Sequence, residues 1–138
     1  MFVATQGDHP WIAALYYSFD CDLNLYFLSD PSTLHGKHIE LNADVAVAIA
    51  DSTQHPKILK KGLQIYGQAK QISDTKKVSH ALSIWKKSIG YKGAEISYEN
   101  MMKKVIKGRM YKITPKKIKF FNQELFKVED GKEPVLTF

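Results

Sequence analysis

Short apolar runs separated by turn-forming residues fill the first half of the chain and predict strand after strand. Phe2 to Thr5 is a first strand, stopped by Gly7-Asp8 and Pro10. Trp11 to Phe19 is a second, ended by the polar Asp20-Cys21-Asp22 turn, and Leu23 to Ser29 is a third, so these two should form a hairpin. In the third strand the two-residue period puts Leu23, Leu25 and Phe27 on one face and Asn24, Tyr26 and Leu28 on the other. One face is expected inward. Ser32 or Thr33 can accept the unpaired first-turn amides of a short helix from Leu34 to Leu41, which Asn42 ends. Val45 to Ala50 then spells VAVAIA, placing Val45, Val47 and Ile49 on one face and only alanines on the other. A face that bare admits either a closely packed helix or a flat ligand.

The pattern lengthens in the second half. Lys61 to Ser73 alternates Leu63, Ile65, Gly67 and Ala69 against Gln64, Tyr66 and Gln68, and Gly67 predicts a bulge or bend of the kind a curved sheet needs. Ser73 or Asp74 caps a helix in which Val78, Ala81, Leu82, Trp85 and Ile89 follow the helical period up to Gly90. A second helix is expected over residues 94–107, presenting Tyr98, Met101, Met102 and Val105, with the methionines read as core filling. Met110 to Ile113 and Ile118 to Phe121 make a closing pair of strands around Thr114-Pro115. The expected fold is mainly β: a six- to seven-stranded split barrel with a few peripheral helices, in one domain spanning residues 1–138. The barrel and its inserted helices occupy 1–121, and a tail occupies 122–138, whose apolar end (Pro134, Val135, Leu136, Phe138) docks on this subunit or on a neighbour.

Composition narrows the function classes. With 138 residues, 44% hydrophobic and 25% charged, the chain is an ordinary globular domain. It shows no secretion signal and no apolar run long enough for a membrane helix, which predicts a cytoplasmic protein. A single cysteine, Cys21, excludes an internal disulfide, and without partners at metal-ligand spacing it builds no structural zinc or redox pair. The net charge of +6 conceals an asymmetry: residues 1–56 hold one base, Lys37, against seven acids, and the remainder holds nineteen bases against seven. Lysines solvating exposed elements account for that, while nucleic-acid binding, which has no motif here, ranks last. Nucleophile elbow, P-loop, dinucleotide fingerprint and His-Glu-x-x-His are all missing. His9, His35, His38, His55 and His80 specify no metal.

The densest polar cluster is Ser29, Ser32, Thr33, His35, Lys37 and His38, at a strand end and a helix start. Free amides, the helix dipole, hydroxyls and a base there suit a phosphate, although capping alone also explains the hydroxyls.

Pro10-Trp11, the LNLYFLSDPSTLH stretch (Leu23 to His35), IELNADVAVAIAD (Ile39 to Asp51), GLQIYGQAKQISD (Gly62 to Asp74) and MYKITPKKIKFF (Met110 to Phe121) together resemble the pyridoxamine 5'-phosphate oxidase family of FMN-binding split barrels, and within it the small general-stress and UPF0306-like members. The resemblance implies a homodimer with two FMN molecules in grooves between subunits. Its phosphate-binding positions fall on Ser29, Thr33, Leu34 and His35, with a further base at Lys61. The backbone from Ala14 through Leu15 and Tyr16 to Tyr17 would run beside the isoalloxazine ring, and the alanine face with Tyr16 and Tyr17 would supply a wall. Two departures stand out. Leu34-His35 replaces an Arg-Lys pair, and Gly62 replaces a glutamine, so FMN binding is expected to be weakened or lost. The tail after Phe121 holds no counterpart of the oxidase's C-terminal substrate-reading segment, which argues against pyridoxine phosphate oxidation. The function expected is an FMN-dependent oxidoreductase taking electrons from a donor such as NAD(P)H, with no catalytic side chain required. The alternative is a non-catalytic module for a flavin, haem or other planar anion.

Overall fold

The computed structural model describes residues 1–51, 53, 55, 57–127, 129 and 132–138. Residues 128, 130 and 131 of the expected tail therefore lie outside the described residues. Among the described residues eight strands and three helices follow in order: β1 (Phe2–Gln6), β2 (Pro10–Ala14), β3 (Tyr17–Phe19), β4 (Leu25–Ser29), α1 (Leu34–Leu41), β5 (Asp44–Ala50), β6 (Lys61–Gln71), α2 (Thr75–Ser88), α3 (Tyr98–Met102), β7 (Arg109–Asn122) and β8 (Val135–Thr137).

The strands form one antiparallel sheet in the order β2-β1-β5-β6-β7-β4-β3, with β8 added against β7. The two end strands, β2 and β3, are separated in sequence only by Leu15 and Tyr16. So short a link forces the sheet to curl until its ends approach, which makes a split barrel of what would otherwise be an open sheet. This corrects the single strand expected over Trp11 to Phe19. The chain leaves β1 at Ala14 and joins β4 at Tyr17, and the Leu15 amide and carbonyl turn aside to bond Met1 at 3.0 and 3.1 Å.

The closing pair of strands is likewise one continuous strand. Pro115 has no amide to donate, yet β7 runs through it because the register with β6 shifts between Tyr66 and Gly67. Gly67 faces Pro115 while Tyr66 faces Lys117, leaving Lys116 as the extra residue. The same stretch falls in the gap between β4, which pairs through Ile113, and β8, which begins opposite Lys119 and ends opposite Lys117. The freed Lys116 carbonyl accepts the Phe138 amide at 3.1 Å. The bulge expected at Gly67 is thus present, and the apolar tail docks on its own subunit beside it.

Two cores divide the sheet's faces. Val3, Leu25, Phe27, Val45, Val47, Ile65 and Ile118 fill the concave side, where Phe27 stacks on Tyr111 at 5.0 Å and α1 plugs one end with Ile39. On the other side of β4 and β7, Tyr26 and Met110 are covered by Val78, Ala81, Leu82 and Trp85 of α2 and by Met101 of α3. Both faces of β4 are therefore buried, and Leu23 drops out of the strand into a positive-φ turn (φ 63°). Asp74 caps α2 by accepting the Lys77 amide, and Gly90 (φ 69°) ends it. The helix expected over 94–107 shrinks to one turn capped by Ser97, because Lys104 takes a positive φ (57°); Met102 and Val105 are exposed instead of packed. Among the described residues no helix is long and apolar enough to cross a membrane.

Candidate functional site

Thr33 caps α1, and its hydroxyl organises the cluster around the helix start. It donates to the Asp30 carbonyl at 2.7 Å and accepts the Gly36 amide at 3.2 Å. With its proton committed, it can only accept at its remaining contact, the 3.2 Å approach of His35 Nε2. That order assigns the proton of His35 to Nε2, which also lies 2.6 Å from Ser29 Oγ. In that tautomer the single Nε2 proton is shared between the Thr33 and Ser29 oxygens, which leaves the Ser29 hydroxyl proton to donate to a further group. The cap and Lys37 account for two of the four first-turn amides, since Lys37 N bonds the Thr33 carbonyl. The Leu34 and His35 amides stay available at the positive end of the helix dipole.

His35 itself is buried. Desolvation first, then the neighbouring His38, lowers its pKa below the ordinary 6.5, so it is neutral at pH 7 and holds Ser29 and Thr33 in place. His38 lies one turn on, buried, with Nδ1 at 3.2 Å from the Thr5 hydroxyl. The charges near this end are ones the sequence pattern did not single out. Arg109 is the cross-strand partner of Ser29, and its field together with that of Lys107 reaches Asp30. The Asp30 carboxylate is held below its usual range chiefly by the Ser32 amide and hydroxyl, both at 2.8 Å. Only the cross-strand register reveals Arg109, since it stands eighty positions from Ser29 in the chain.

Lys61 and Gly62 lie elsewhere. β6 places them opposite Asn122 and Phe121, at the far end of β7 from the Arg109–Ser29 pair. One chain does not bring them to the α1 start. Gly62 also has a physical reason to be glycine: a Cβ there would stand 2.6 Å from both the Ile49 carbonyl oxygen and the Phe121 ring.

The alanine face forms a bed. Cross-strand rows run Ile12–Ala4–Ala46–Tyr66–Lys117 and Ala14–Phe2–Ala48–Gln64–Lys119. The small residues in the middle and the large ones at the sides leave a groove of about 500 Å³ on the outer face. Phe2, Ile12 and Tyr66 wall it and are half or more exposed to solvent, or nearly so (50%, 65% and 46%). Among the described residues no helix of this chain covers it, so the alanine face is not packed against one of the chain's own helices. Tyr16 and Tyr17 sit beyond the end of β2, and in one chain neither walls the alanine face as the resemblance implied: neither lines the outer groove, and Tyr17 lines the cavity on the inner face. Tyr16 is 75% exposed and its carbonyl accepts the Trp85 indole N–H at 3.1 Å, while the Tyr17 carbonyl accepts Ser88 Oγ at 3.2 Å. Among the described residues no cluster of three metal-ligating side chains occurs.

Each feature suits one part of a planar anion, a flat apolar bed rimmed by two lysines for a ring and a donor-rich helix start for an anionic tail, but one chain does not join them: none of Ser29, Thr33, Leu34 or His35 lines the bed. The helix start fits the tail weakly, because His35 is neutral and Asp30 stands beside the open amides.

A curled antiparallel sheet with split ends and a plugged lumen defines the fold as a split barrel of the pyridoxamine 5'-phosphate oxidase-like type, and solved structures agree. A candidate pyridoxamine 5'-phosphate oxidase of Listeria innocua superposes with a TM-score of 0.63 at 23% identity, covering 87% of this chain and 86% of that one. A heme binding protein of Mycobacterium smegmatis matches with a TM-score of 0.74 at 12% identity over 99% of this chain and 51% of its own. A FAD-binding protein of Mesorhizobium loti matches with a TM-score of 0.62 at 19% identity, over 85% and 80% of the two chains. In sequence, the chain is 32% identical over 77 residues to a UPF0306 protein of Photorhabdus laumondii, covering 54% of this chain and 53% of that protein. The chain thus spans about half the length of the curated relative it matches. No family model matches.

Proposed function

We propose that the protein is a homodimeric flavin-binding split barrel that holds FMN in a groove between subunits and passes electrons from a reduced donor such as NAD(P)H to an acceptor. The observation that carries this reading is the alanine-floored bed on the outer face, open and flanked by Phe2, Tyr66 and Lys117, beside the FAD-binding and oxidase-like relatives of the fold. The separation of Lys61 from Ser29 along β7 supports the dimer: two ends of one sheet reach a single ligand only when a second chain is laid against the first. When bound, the flavin supplies the redox chemistry. Ser29 and the Leu34 and His35 amides donate to the phosphate, His35 positions Ser29, and the bed excludes water from one ring face.

Purified protein tests this directly. A flavin absorption spectrum, or saturable quenching of added FMN fluorescence, bleached by NAD(P)H in a particle that light scattering sizes as a dimer, is the expected result. A colourless monomer that ignores FMN overturns it. The neutral His35 and the absent Arg-Lys pair favour one second reading, a non-catalytic holder of haem or another planar anion, as the name of the mycobacterial relative suggests. Haem titration with a Soret shift distinguishes it.

A further inference from the structure

We propose a second, separate binding site in the open end of the barrel lumen, for an uncharged apolar small molecule such as a neutral lipid or a fused-ring hydrocarbon. α1 plugs only one end of the concave face. At the other end a cavity of about 550 Å³ remains, floored by the buried core residues Leu25, Ile65 and Ile118. Its walls are the inward side chains of β3, β5, β6 and β7, and its lip is the docked tail strand β8.

Three observations fix the class of occupant. Every lining residue is apolar except for the hydroxyl of Tyr17, whose pKa burial raises, so a charged group finds no partner inside. The volume lies within the roughly 300–1,000 Å³ of sites that enclose small organic ligands, and the closed floor admits a molecule and not a folded surface. Finally, Phe19, Leu23, Val135 and Leu136 gather at the mouth, each 38–63% exposed. Large apolar side chains clustered round an apolar cavity cost free energy in water that an apolar guest relieves. The cavity lies on the opposite face of the sheet from the alanine bed, with Ile49 and Leu63 pointing in where Ala48 and Gln64 point out, and it shares with the flavin reading only Tyr17, whose side chain lines it.

The test titrates the full chain with the neutral fluorophore N-phenyl-1-naphthylamine. Saturable enhancement is expected, reversed by 1-dodecanol and at least about tenfold less effectively by dodecanoate, because the carboxylate would have to be desolvated. Leu63→Trp, which fills the cavity, should abolish the signal. Leu136→Gln, at the exposed lip, should weaken it with the fold intact, and Ala48→Phe on the outer face should leave it unchanged. Failure of the probe to saturate, equal displacement by the alcohol and the acid, or loss on Ala48→Phe overturns the proposal. So does a fall in oligomer size on adding the probe, which would mean that a second copy fills the cavity.

Discussion

Trp85 offers the sharpest test of how the outer helix serves the sheet. It is 5% exposed on α2, packs over Tyr26 and Met110, and its indole N–H donates to the Tyr16 carbonyl at 3.1 Å. Tyr16 lies in the two-residue link by which the chain passes from one sheet end to the other, so this bond pins the crossover that makes the barrel. Trp85→Phe keeps an aromatic ring in the pocket and deletes the donor. The lost hydrogen bond contributes about 1 kcal/mol net. The missing part of the indole adds about 1 kcal/mol in burial and residual cavity, for a total of about 2 kcal/mol. Trp85→Ala should cost about 3–5 kcal/mol. Ser88→Ala removes only a solvent-exposed bond to the next carbonyl and should stay within about 0.5 kcal/mol. Urea denaturation followed by far-UV circular dichroism measures all three, with the midpoint shifting and the slope unchanged. If Trp85→Phe were no more destabilising than Ser88→Ala, the indole bond would not be holding the crossover. Flavin titration of the same variant adds a second reading: affinity should fall severalfold if the Tyr16–Tyr17 backbone lies against the ring.

Acidification should destabilise the fold through His35. Its folded pKa is depressed below 6.5, so the unfolded chain takes up a proton that the folded chain refuses, and the stability present above pH 6.5 declines as pH falls below it. Melting temperatures between pH 7.5 and 5 should fall less steeply in His35→Gln than in the parent; parallel slopes would sink the assignment. Ala48→Phe places a ring on the outer bed and should weaken FMN by at least about tenfold while shifting stability within about 0.5 kcal/mol, as fluorescence titration and melting would show. Gly62→Gln should cost about 1–3 kcal/mol from overpacking against the Ile49 carbonyl and Phe121, and adding Phe121→Ala should recover part of it, measured by chemical denaturation.

The sequence made some elements legible because their causes are local. Thr33 and Asn42 bracket α1 by capping chemistry, and its bounds match expectation. Asp74 and Gly90 do the same for α2, and Gly67 marks the bulge. The misses share a non-local cause. Nothing in Trp11 to Phe19 says that its first half pairs with β1 and its second half with β4, since the alternation continues across the break. Pro115 is a valid turn signal until the bulge on β6 and the gap between β4 and β8 give it a place without a donor. The site follows the same division. Ser29, Thr33 and His35 assemble because they are neighbours in the chain, whereas Arg109 reaches Ser29 through strand pairing alone.

That division also bears on how a ligand would be gripped. Where a split barrel relies on an Arg-Lys pair, charge holds the anion; here Leu34 points outward and His35 turns inward, neutral, onto two hydroxyls. The helix start keeps its directional donors and loses its charge. Phosphate affinity built this way depends on hydrogen-bond geometry more than on long-range attraction, and it should respond weakly to salt. Raising ionic strength tenfold should therefore change FMN affinity by less than about threefold, whereas a grip supplied mainly by Lys107 and Arg109 would lose affinity steeply. A steep salt dependence in the FMN titration, abolished by Arg109→Gln, would move the anion from the α1 amides to the β7 start and require the phosphate end of the site to be redrawn around that residue.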